Sequence, residues 1–110
     1  MYKYRHDVSN RTVYRFPIEP FMTEAMHRGK RAGWNVYMEV TITCANNRFL
    51  NNRWEKDVVN FPRQFFDTRY SREEALAYFH SNNDPRGEEI DQELYQRLQK
   101  QYENEARNNS

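Results

Sequence analysis

Trp34-Asn-Val-Tyr-Met-Glu-Val-Thr-Ile-Thr-Cys44 is the stretch that decides how this chain folds. Its even positions, Trp34, Val36, Met38, Val40, Ile42 and Cys44, are apolar. Its odd positions, Asn35, Tyr37, Glu39, Thr41 and Thr43, are polar or amphipathic. A period of 2 predicts a strand with one buried face, because a helix would scatter the same residues around its circumference. Such a strand, 34–44, would extend roughly 36 Å, well beyond the usual length. It must either bend to fit its own sheet or pair its excess length with a partner.

Upstream, Tyr2, Tyr4, His6 and Val8 alternate with Lys3, Arg5 and Asp7, and Thr12, Tyr14 and Phe16 alternate with Arg11, Val13 and Arg15. Ser9-Asn10 between them can form a tight turn, since asparagine tolerates positive φ, so a β-hairpin is predicted over 2–17. Pro17 ends it. Pro20 suits a first helical position, and Met22, Ala25, Met26 and Gly29 recur at helical spacing before Gly33. This predicts a helix over about 20–32 that feeds directly into the long strand.

Downstream, Ala45-Asn46-Asn47 is a turn signal, and a strand is predicted from about residue 48, antiparallel to the long one. The stretch to Phe61 also fits a helix that aligns Leu50, Trp54, Val58, Phe61 and Phe65 but is interrupted by Pro62. Ser71-Arg-Glu-Glu74 has the form of a capping box and predicts a helix over about 72–81 that buries Ala75, Leu76 and Phe79. Asp84-Pro85 resembles the N-cap and first position of a last helix, over about 85–106. Its stripe of Ile90, Leu94, Leu98 and Tyr102 drifts by about 40° per step, so the first half should dock and the end fray beyond about 103. The fold class expected is α+β: a small mixed or antiparallel sheet with three helices, in a single domain spanning 1–110.

Composition narrows the function classes. The chain has 110 residues, 37% hydrophobic, 15% aromatic and 30% charged, enough to bury a core without disulfides. The single cysteine, Cys44, continues the apolar face of the long strand, which predicts an inert thiol and a reducing, cytoplasmic setting. No apolar run is long enough for a signal sequence or a membrane span. The net charge of +1 is unevenly spread. Residues 1–69 carry 12 Lys/Arg against 7 Asp/Glu, and residues 70–110 carry 5 against 9.

Catalytic signatures are absent. His6, His27 and His80 are far apart and lack metal-ligand spacing, so no metal or cofactor is expected. His27 reads as a helix-surface residue, and His80 as a dipole complement near a helix C-terminus. Ser71 already has a capping role, and Gly29, Gly33 and Gly87 form no phosphate loop. A metal-independent ribonuclease built from His, Arg, Lys and Tyr is the weakest of three readings.

Arg28, Lys30 and Arg31 form one basic cluster, and Arg48, Arg53 and Lys56, interleaved with Phe49 and Trp54, form another. Cations beside exposed rings are what single-stranded nucleic acid requires. Glu55 and Asp57 interrupt the second cluster, however, and no nucleic-acid signature accompanies either. The leading expectation is a non-enzymatic protein-binding module, because Tyr, Arg and Trp are enriched at binding hot spots. The residues expected to touch the partner are Tyr37, Arg48, Phe49, Arg53 and Trp54. Tyr37 draws notice because a solvated strand face does not require an aromatic. A homodimer is a further expectation that the sequence leaves open. In its small size, its lack of a catalytic signature and its Asn- and Tyr-rich polar surfaces, the chain is similar to small phage and mobile-element proteins. That similarity implies an inhibitor that occupies a host protein's functional surface.

Overall fold

The computed structural model describes residues 1–54 and 59–108; for 53, 54, 59 and 60 it describes the backbone alone. The strands are β1 (Tyr2–Asp7), β2 (Thr12–Pro17), β3 (Phe21–His27), β4 (Lys30–Tyr37), β5 (Val40–Cys44), β6 (Phe49–Leu50), β7 (Arg53–Trp54), β8 (Val59–Asn60), β9 (Arg63–Asp67) and β10 (Glu88–Ile90). The helices are α1 (Arg72–Asn83) and α2 (Gln92–Asn108). All strand pairings are antiparallel, and the class is α+β as expected. The chain forms two compact units, one from Met1–Ile18, Val40–Asn60 and Pro85–Ser110, the other from Glu19–Glu39 and Phe61–Asp84.

The first unit is a five-stranded sheet, ordered β10-β1-β2-β5-β8, with α2 packed on it. The β1–β2 hairpin is the predicted one, but Asp7 pairs with Thr12, so its loop has four residues rather than two. Arg11, not Asn10, takes the positive φ. Asp7 pins the loop by accepting from Asn10 Nδ2 at 2.7 Å and Ser9 Oγ at 3.0 Å. The Asn10 amide holds the buried Asp7 carboxyl below its ordinary range. Val13, Ala45, Tyr95 and Tyr102 form the core, with Tyr4, Ile90 and Leu98 packed against it.

The predicted last helix needs correcting at its start. Glu88–Ile90 pair with β1 as an edge strand, and the helix begins only at Gln92. Asp91 rather than Asp84 caps it, its carboxylate accepting from Leu94 N at 2.8 Å. The buried stripe is Tyr95, Tyr102 and Ala106, with Leu98 half-buried between them. Ile90, assigned to the helix by its spacing, belongs instead to β10.

The strand predicted from about 48 is also corrected. It pairs with β7 in its own hairpin, not with the long strand, because Asn51 and Asn52 at φ 52° and 64° turn the chain within two residues. The neighbour of β5 on that side is β8. Val58, part of the alternative helical reading, lies outside the described residues.

The second unit is a three-stranded sheet, β3-β4-β9, with α1 on one face. The helix predicted over 20–32 is absent; this segment is the β3–β4 hairpin. Gly29 and Gly33 each weaken a helix by about 1 kcal/mol, and Arg28-Gly29 at φ 51° and 76° makes the two-residue turn between His27 and Lys30. The capping box forms as predicted: Glu74 N donates to Ser71 Oγ and Ser71 N to Glu74 Oε1, both at 3.1 Å. Ala75 and Phe79 are buried, and α1 runs on to Asn83.

The long strand divides at Met38-Glu39, β4 joining the three-stranded sheet and β5 the five-stranded one. Its buried phase shifts there too. Val36, Met38 and Val40 are buried as predicted, but beyond them it is Thr41, Thr43 and Ala45 that are buried, while Ile42 and Cys44 are half-exposed. An eleven-residue strand is too long for one small sheet, so each half takes its buried face from its own sheet.

Candidate functional site

Side chains alternate faces along a strand, so the pairing of β3, β4 and β9 sorts this sheet into two sides. On one side lie Met22, Val36 and Gln64, then Glu24, Trp34 and Phe66. This is the side of α1: Val36 and Phe66 are buried, Tyr70 meets Phe66 edge-on at 5.4 Å, and Asn82 donates to Gln64 at 3.2 Å. The other side presents Phe21, Tyr37 and Arg63 in one row, Thr23, Asn35 and Phe65 in the next, then Ala25, Gly33 and Asp67. A bulge between Ala25 and Met26 follows, and His27 with Lys30 closes the series beside the turn.

This second side is open. Phe21 is 54% exposed and Phe65 53%, with Thr23 and Arg63 also exposed. Phe21 and Tyr37 stack at 5.4 Å with 24° between their planes, and the Arg63 guanidinium lies 5.4 Å from the Tyr37 ring. Since β4 is central, Phe21 and Arg63 flank Tyr37 from opposite sides and occupy both of its ring faces. Phe65 leans over Gly33, where an added Cβ would come 2.9 Å from its Cε2. The open side has one carboxylate within its strands, Asp67, and Arg69 clasps it with Nε to Oδ1 at 3.0 Å and Nη2 to Oδ2 at 2.8 Å. Those hydrogen bonds hold Asp67 below its ordinary range.

Of the residues expected to touch a partner, Tyr37 lies on this open side, on the central strand and in its end row. Arg48 and Phe49 lie in the other unit, where Arg107 sits 4.6 Å over the Phe49 ring. Arg53 and Trp54 form β7, and Phe49 and Trp54 are cross-strand partners there. Of the nucleic-acid set, Arg28, Lys30 and Arg31 gather at the β3–β4 turn, not at a helix C-terminus. Arg48 and Arg53 are on the other unit, and Lys56 lies outside the described residues. Phe21, Arg63 and Phe65 were missed. Helical spacing claimed the segment around Phe21, and nothing in the sequence shows that β9 pairs beside Tyr37.

Acid–base chemistry has one cluster to consider, in the first unit. His6 Nε2 and the Tyr102 hydroxyl are 2.7 Å apart, Arg11 lies 5.2 Å over the Tyr102 ring, and Arg11 is paired with Glu105. An open cleft lined by Arg11, Ala45, Asn46, Glu105 and Asn108 lies beside it. The hydrogen-bonded pair does not line that cleft. Tyr102 is core, and burial raises its pKa, which makes its proton harder to remove. The cluster therefore serves to join α2 to β1. His27 ends β3, and His80 is an exposed residue of α1. Among the described residues no group of three or more His, Cys, Asp or Glu could hold a metal ion, and no helix is long and apolar enough to cross a membrane. No family model, no curated protein and no solved structure matches this chain.

Proposed function

We propose that this chain is a non-enzymatic binding protein that docks another protein on the open face of its three-stranded sheet. The observation that carries this reading is the Phe21–Tyr37–Arg63 row, in which exposed Phe21 and Arg63 flank half-buried Tyr37, with exposed Phe65 beside it. Tyrosine and arginine are typical anchors of binding hot spots, and a ring braced on both sides loses little freedom when a partner covers it. The nucleic-acid alternative is weaker on two counts. Both faces of Tyr37 are already occupied, so a base cannot stack there. The residues of this unit carry 6 Lys/Arg against 7 Asp/Glu, whereas a nucleic-acid-binding domain is usually markedly basic. The finer reading is an inhibitor of phage or mobile-element type, at work in the reducing cytoplasm, that covers a host protein's functional surface.

The test is affinity capture from host lysate with the wild-type chain and with a Phe21→Ser/Phe65→Ser variant, each in nuclease-treated and untreated halves. The expected result is a stoichiometric protein, insensitive to nuclease, held by the wild type and released by the variant. A partner held equally by both chains, or lost on nuclease treatment, would overturn the reading.

A further inference from the structure

We infer that the β3–β4 turn is a recognition site for acidic side chains of the partner, with Arg28 and Lys30 as its cations. This rests on the proposed docking face and says what chemistry its occupant must carry. Residues 26–31 are all exposed, and they bring Arg28, Lys30 and Arg31 together with His27. Among the described residues no carboxylate pairs with Arg28 or Lys30. Arg31 is held differently, its guanidinium 4.9 Å from the Trp34 ring on the α1 side of the sheet. The nearest acid in sequence, Glu24, points to that same α1 side, while His27 and Lys30 stand on the open one.

The turn itself adds an argument. Two-residue hairpin turns with positive φ at both centres favour Asn, Asp or Gly at the first, yet Arg28 stands there at φ 51°. An Arg in that conformation is uncommon and strained. A Cβ built on Gly29 would meet nothing within 4 Å, so the turn projects into open space. The result is a short cationic finger on the open face. It lies six residues along β3 from Phe21, or roughly 20 Å. The occupant is therefore a protein surface that places carboxylates roughly 20 Å from an apolar contact. Carboxylates fit better than a run of phosphates because the cations end at the turn and the unit as a whole is not basic.

The test uses the full chain in fluorescence anisotropy with two labelled probes, poly-L-glutamate and a single-stranded oligonucleotide of matched charge. Each is measured at about 50 mM and about 200 mM salt, since exposed charge pairs are screened over that range. The variants are Arg28→Glu/Lys30→Glu and, to keep the turn unstrained, Arg28→Asn. The expected result is polyglutamate binding that weakens with salt, falls at least about tenfold in the double reversal and falls less in Arg28→Asn, with thermal melting not lowered in either variant. Absence of polyglutamate binding at low salt, or binding indifferent to the double reversal, would sink the inference. Preference for the oligonucleotide would reassign the turn to phosphate and overturn it equally. Phe21→Ser/Phe65→Ser should keep its polyglutamate binding while losing the captured partner. Failure of the finger and failure of the docking face are thus read separately.

Discussion

Gly33 permits a sharp test of how the open face is built, through Gly33→Ala compared with Gly29→Ala in the same hairpin. A Cβ at Gly33 would stand 2.0 Å from the Phe66 carbonyl oxygen, 2.8 Å from Asp67 Cα and 2.9 Å from Phe65 Cε2. The first two are backbone, so β9 itself must retreat, stretching the Gly33–Asp67 and Trp34–Phe66 pairings. Forced overpacking costs about 1–3 kcal/mol, and a side chain at φ 155° adds about 1–3 kcal/mol. Together they predict a loss of about 4 kcal/mol. At Gly29 the Cβ meets nothing, so only the positive φ of 76° counts, at about 1 kcal/mol. Urea unfolding reads both: Gly33→Ala should move the midpoint about four times as far as Gly29→Ala, with similar slopes. Because Phe65 leans on Gly33, partner capture should also weaken in Gly33→Ala. Equal stability of the two variants would refute the close β4–β9 approach, and with it the placement of Arg63 beside Tyr37.

Burial holds Tyr95 up to about 12, above its unfolded value near 10, so its neutral form belongs to the folded state. That contribution is complete below pH about 10 and should be lost between about 10 and 12, on the order of 2 kcal/mol by chemical denaturation. Tyr95→Phe should flatten that alkaline limb without loss of stability at neutral pH, since the buried hydroxyl has no hydrogen-bond partner among the described residues. Ser71→Ala removes the cap of α1 and should cost about 1 kcal/mol by thermal or urea unfolding. Tyr102→Phe leaves His6 Nε2 without its 2.7 Å partner and should destabilise by about 1–2 kcal/mol, measured in the same way.

Local chemistry was legible from residues alone. Ser71 and Glu74 meet within one helical turn, so the capping box needs nothing distant to form. The 2–17 hairpin joins neighbouring segments and followed from alternation and a turn. Val36, Met38 and Val40 were readable because a half-buried strand prints its period on the sequence. Tyr37 stood out as an aromatic among polar neighbours. Edge strands carry no such imprint. β3 is exposed at most positions, which left only an accidental helical spacing of Met22, Ala25, Met26 and Gly29 to read.

Tertiary structure decided what period and propensity cannot encode. The sequence determined that Trp34 to Cys44 is extended and largely apolar on one side, but not that it serves two sheets. The division at Met38-Glu39 and the burial of Thr43 over Ile42 depend on which strands each half joins. The open face depends on tertiary structure in the same way. Phe21 and Arg63 flank Tyr37 only because β3 and β9 pair on either side of β4, and Phe65 is exposed because α1 packs on the other face. Side-chain type sets what a residue can do, but its neighbours are set by long-range pairing, which no local pattern records.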